Sequence, residues 1–149
     1  MNILTAVVAG IGGTAVMTAF IYLLSYITQK RLKVVKILGT MLTFQTTPDK
    51  QTSEHSSAIV VGILGHYFVG IVFSLIYYWL WTNGIGKPDI LTCAIYGFIS
   101  GIVGIIVWRI FFAIHPNPPS VPLKDYIVSI LIAHIFFGIG VWATHQLLT

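Results

Sequence analysis

The stretch GILGHYFVGIVFSLIYYW, Gly62 to Trp79, contains one ionisable imidazole, His66, and otherwise no acidic or basic residue. A helix needs about 20 apolar residues to cross about 30 Å of hydrocarbon. This run extends without Asp, Glu, Lys or Arg from Ser56 to Gly86, and three other stretches behave alike: Met1 to Gln29, Ile90 to Trp108 and Tyr126 to Thr149. Across 149 residues the chain is 56% hydrophobic and 8% charged, with a mean hydropathy of +0.90. Soluble domains carry about 25% charged residues, so this composition indicates a membrane protein.

Four transmembrane helices are expected, near 4–28, 57–81, 90–114 and 126–147. The third continues past Arg109, because a long cationic side chain near a helix end can carry its charge to the interface. The first segment has no cation before its apolar run and a basic cluster after it, the reverse of a secretory signal, and is read as retained. Cys93 is the single cysteine and is read as an apolar filler.

Seven basic residues, Lys30, Arg31, Lys33, Lys36, Lys50, Arg109 and Lys124, fall in or beside the first and third loops, against Lys87 alone on the opposite side. The positive-inside rule then makes those loops cytoplasmic and puts both termini outside. The net charge of +4 needs no nucleic-acid partner, since Lys30, Arg31, Lys33 and Lys36 would meet anionic lipid headgroups. Residues 29–44 alternate cationic and apolar stripes and read as an amphipathic helix in the cytoplasmic interface. The polar segment Gln45 to His55 reads as a mobile loop, and the four prolines between Pro116 and Pro122 forbid helix.

HYFVGI in the second segment aligns with HIFFGI in the fourth at an offset of 68, matching His66 with His134 and Gly70 with Gly138. AGIGGTAV in the first aligns with SGIVGIIV in the third at an offset of 91. The expected fold is therefore all-α: an integral membrane four-helix bundle built from a tandemly repeated two-helix hairpin. Its halves would be related by a pseudo-two-fold axis along the membrane normal. His66 lies about ten residues and His134 about eight into their helices, roughly 12 to 15 Å of rise, near the bilayer midplane.

Lipid-facing apolar groups gain little from one another, so such helices associate through small residues and interhelical hydrogen bonds. Both histidines lie on small-residue stripes and should point inward. The stripes would equally serve contact with a second copy of the chain or with a larger membrane complex. The aromatic residues Tyr77, Tyr78, Trp79 and Trp81 read as an interfacial belt.

All four acidic residues, Asp49, Glu54, Asp89 and Asp125, lie in loops, leaving no intramembrane carboxylate of the kind pumps and coupled transporters use. No catalytic triad, zinc motif or phosphate loop is present, and the chain reads as a non-enzymatic accessory or binding module. Three roles remain open for the histidine pair. As glue, the pair would bond to Thr14, Thr18, Tyr77 or a backbone carbonyl. As part of a binding site, it would recognise the head of a lipid- or quinone-like ligand in a pocket made by Gly70 and Gly138. As axial ligands, His66 and His134 would hold haem b, with Arg109 or Lys124 at its propionates. A small channel or transporter is a further alternative.

The ordered set GIGGTAVMT, GHYFVG, YGFISGIVG, a Pro-rich turn and AHIFFG resembles the small, uncharacterised bacterial inner-membrane proteins of the YagU-like type. That resemblance implies a bacterial cytoplasmic membrane and a four-helix fold. It supplies no catalytic residue.

Overall fold

A computed structural model describes residues 2–149, which form five helices: α1 (Ile3–Thr28), α2 (Val34–Leu42), α3 (Ser56–Thr82), α4 (Ile90–Ile114) and α5 (Leu123–Leu148). All but α2 are long and apolar enough to cross a membrane. The chain is a multi-pass membrane protein. Large side chains such as Leu4, Leu23, Leu64, Phe68 and Ile106 stand exposed around the bundle, where hydrocarbon would meet them.

The helix ends follow local chemistry. Asn2 and Asp89 cap α1 and α4, their side chains accepting from the backbone N–H of Thr5 and Thr92 at 2.8 Å. The bond from Thr92 holds the exposed Asp89 carboxyl below the usual aspartate range. Gln29 ends α1 in the left-handed region. Pro122 lacks an N–H and needs none ahead of a first helical turn, so α5 begins at Leu123, three residues before the expected 126.

Antiparallel α1 and α5 form the centre of the bundle; α3 packs on α1, and α4 on α5. Phe20 and Phe136 stack at 4.5 Å across the central pair. On the α4 side, a Cβ at Gly138 would overlap the carbonyl oxygen of Cys93, so the two backbones touch there. A two-fold relation between the α1·α3 and α4·α5 pairs would give the α1·α5 contact a counterpart at α3·α4. In the structure the α3 and α4 backbones stand apart, meeting mainly through long side chains where Tyr77 and Trp81 reach Ser100 and Tyr96, and a gap opens between them.

Three sequence expectations change. The amphipathic segment is helical only from Val34, and α2 packs on α3 rather than lying free: Val34, Val35, Ile37, Gly39, Thr40 and Met41 are buried. The reason is close backbone approach, since a Cβ at Gly39 would overlap the Ala58 carbonyl. The segment 45–55 is tied to the third loop through Ser120 N–H to the Lys50 carbonyl at 2.8 Å and Thr46 Oγ1 to the Asn117 carbonyl at 2.6 Å. Among the belt aromatics, Tyr77 is buried, its hydroxyl 2.7 Å from Ser100 Oγ, and Trp81 stacks on Tyr96 and His145. Trp79 alone of the Tyr77, Trp79 and Trp81 set is broadly exposed.

Candidate functional site: a cleft between α3 and α4

The gap encloses about 270 Å³. Its walls are Val69 and Phe73 of α3 and Val103 and Val107 of α4, and its back is formed by Thr14 and Met17 of α1 with Phe137 of α5. Val34 and Leu38 of α2, with Trp108 and Phe111 of α4, also line it, so the short helix closes the end nearest the basic loops. Apart from the Thr14 hydroxyl, which donates to the Gly10 carbonyl at 2.7 Å, and the indole N–H of Trp108, the polar side chains in the lining are His66 and His134. Each is 8% exposed.

Small residues make the space. A Cβ at Gly70 would collide with Thr14 Oγ1, so glycine there lets α3 lie against α1 with His66 one turn away. Gly104 leaves room for the His134 ring, whose Cε1 and Nε2 would lie 3.1 and 3.3 Å from a Cβ at that position.

Hydrogen bonds fix both rings. His134 Nδ1 lies 2.8 Å from the Ile130 carbonyl oxygen, which can only accept, so Nδ1 carries the proton. His66 Nε2 lies 3.1 Å from Thr18 Oγ1. The Thr18 hydroxyl donates its own proton to the Thr14 carbonyl at 2.7 Å, so Thr18 accepts from His66 and Nε2 carries the proton there. The remaining nitrogens, His134 Nε2 and His66 Nδ1, have no partner among the described residues, yet neither is fully enclosed by protein atoms.

The expected site residues thus divide. His66, His134, Thr14 and Gly70 meet at the cleft, and Thr18 supports it from behind as the partner of His66. Tyr77 bonds to Ser100 instead of a histidine, and Gly138 serves the α4·α5 contact. Sequence reading missed Val34 and Leu38; the apolar stripe of α2 signals a buried face but not what it faces.

The basic cluster forms a second feature, a polar pocket of about 400 Å³ lined by Lys30, Arg31, Lys33 and Lys36 together with Tyr22 and Gln51. Lys30 pairs with Asp125 at 2.9 Å and Lys36 with Glu54 at 2.5 Å, while Lys33 lies over the Tyr22 ring at 5.7 Å. His115 and His145 are buried as well. His115 Nε2 lies 2.9 Å from the Met41 carbonyl, and its ring stacks on Phe44.

No group of three or more His, Cys, Asp or Glu side chains among the described residues could hold a metal ion. The residues present do not fit a bis-histidyl haem. His134 would offer a free Nε2, but the Nε2 of His66 is committed to Thr18, and neither Arg109 nor Lys124 lines the cleft to meet propionates. No family model, curated protein or solved structure matches this chain.

Proposed function

We propose that the protein is a non-enzymatic membrane binding module that takes an apolar, lipid-soluble molecule into the α3–α4 cleft. The observation that supports this reading is the cleft itself: an apolar space within the spanning helices whose two buried imidazoles each keep an unpartnered nitrogen. Ligand sites of this kind combine an apolar lining with a few placed polar groups. Structural glue alone would need one bonded nitrogen on each ring, and the geometry leaves a second polar atom on each without a protein partner.

The basic pocket is read as a seat for anionic headgroups, with Arg31 and Lys33 outside the carboxylate pairs of Lys30 and Lys36. On this reading the first and third loops face the cytoplasm, as the positive-inside rule expects from the distribution of basic residues.

The test is extraction and mass spectrometry of lipids that remain with the protein purified from its native membrane. Binding is expected to enrich a discrete apolar species over bulk lipid, and His66→Leu with His134→Leu to remove it. An extract identical to bulk lipid from the wild type and the double variant would refute the reading.

A further inference from the structure

We propose that the cleft selects a ligand presenting a hydroxyl donor, a phenolic or alcoholic lipid, over one presenting only acceptor oxygens. The inference rests on the ligand-binding reading above and specifies the chemistry of the head. It follows from the two ring tautomers. A neutral imidazole has one donor and one acceptor nitrogen. His134 spends its donor on the Ile130 carbonyl at 2.8 Å, and His66 spends its donor on Thr18 Oγ1 at 3.1 Å. Thr18 cannot act the other way, because its proton is already given to the Thr14 carbonyl at 2.7 Å.

What remains on both rings is a lone pair. Thr14 of the lining has likewise given its proton to the Gly10 carbonyl at 2.7 Å. These three groups are therefore left as acceptors, and the donor of the lining is the indole N–H of Trp108 on the α4 wall. At either imidazole a ketone, ester or ether oxygen would set lone pair against lone pair in an apolar space, whereas a hydroxyl supplies the missing proton. A polar group left unpaired in such surroundings carries a desolvation cost, and sites built this way reject analogues that lack the matching group. Gly104 opens the approach to His134 Nε2, and the apolar walls accommodate a chain or ring behind the head.

Two sources share this chemistry: the reduced, phenolic form of a quinone-like lipid and an aliphatic lipid alcohol. The experiment uses the full chain in nanodiscs and follows the rise in melting temperature with added ligand. The probes are para-decylphenol and its methyl ether, para-decylanisole, which differ in the O–H donor, with dodecanol and its methyl ether as the aliphatic pair. In at least one pair the hydroxyl compound is expected to bind about tenfold more tightly than its ether, equivalent to about 1.4 kcal/mol. A phenol stronger than the alcohol assigns the aromatic source, and the reverse assigns the aliphatic one.

His134→Leu, which removes one of the acceptors, is expected to narrow the gap between each hydroxyl compound and its ether. Ethers that bind the wild type as well as or better than their hydroxyl partners overturn the donor inference and leave the ligand-binding reading standing. If none of the four probes shifts the melting temperature, both readings fall. These outcomes are read on the native chain and do not depend on a variant that folds.

Discussion

His66 on α3 donates its Nε2–H to Thr18 Oγ1 on α1 at 3.1 Å, and Thr18 hands its own proton to the carbonyl of Thr14 one turn away. The relay joins two spanning helices and sets which face of the imidazole the cleft receives. Interhelical hydrogen bonds in membranes contribute about 0.6 kcal/mol on average and up to about 1.7 kcal/mol. Thr18→Val, which keeps the shape and removes the acceptor, is expected to cost about 1 kcal/mol in detergent unfolding titrations. Thr18→Ser should retain most of the stability. Equal loss in both variants would show that the methyl group, not the hydroxyl, matters at this position.

The α2–α3 contact makes a sharper steric prediction. A methyl at Gly39 would overlap the Ala58 carbonyl, and backbone cannot rotate away. A methyl at Gly65 would meet only the flexible ends of Leu42 and Leu38 at 3.3 and 3.4 Å. Gly39→Ala should cost about 1–3 kcal/mol through forced separation of the helices, whereas Gly65→Ala should stay within about 0.5 kcal/mol of wild type. Thermal melts of the two variants check this, and a Gly39→Ala protein as stable as wild type would refute the packing of α2.

That contrast also shows what could be read from the residues themselves. Four spanning helices were legible because uncharged runs of that length have few other stable solutions, and Arg109 near the end of the third did not obscure it. The inward direction of His66 and His134 was legible from the glycines and threonines at helical spacing beside them. The role of α2 was not. Its cationic and apolar stripes are the same whether the apolar face meets lipid or α3, and the deciding feature is Gly39 facing Ala58, a pairing across 19 residues of chain. The cleft was hidden for a related reason: small-residue stripes on every helix promise contacts everywhere, and only the assembled bundle shows that the α3 and α4 backbones part along the cleft.

Two buried tyrosines should respond oppositely to loss of the hydroxyl. Tyr77 donates to Ser100 Oγ at 2.7 Å, since Ser100 gives its own proton to the Tyr96 carbonyl at 2.7 Å. Tyr126 is fully buried beside Trp108 and Phe112, with no partner for its hydroxyl among the described residues. Tyr77→Phe should cost about 1 kcal/mol, and Tyr126→Phe should be neutral or stabilising by about 1 kcal/mol. Unfolding in detergent compares them directly; a marked loss in Tyr126→Phe would reveal a bonded hydroxyl.

Asp89 gives a pH dependence with a defined sign. Its carboxylate accepts from the Thr92 N–H at the start of α4, and this bond lowers its pKa relative to an unfolded aspartate. A depressed folded value means that the stabilisation is present above the ordinary value of about 3.9 and is lost as pH falls through the lower, folded value. Asp89→Asn retains a capping oxygen without the titration. Stability measured from neutral to acidic pH should therefore fall more steeply in wild type than in Asp89→Asn. Parallel curves would exclude a contribution from this cap.

Gly104 separates access to the cleft from integrity of the bundle. A Cβ there would lie 3.1 Å from His134 Cε1 and 3.3 Å from its free Nε2, and 3.4 Å from Ile130 Cγ2. These are side-chain contacts that can yield by a few tenths of an ångström, so Gly104→Ala should fold with a melting temperature close to wild type. The added methyl stands where a ligand must approach the acceptor nitrogen. Binding of para-decylphenol, followed through the fluorescence of Trp108 in the cleft wall, should weaken by about tenfold, a change of about 1.4 kcal/mol. Alanine at this position is the smallest change that can act on the imidazole's lone pair, so undiminished binding would mean that His134 Nε2 is not where the ligand's head is held.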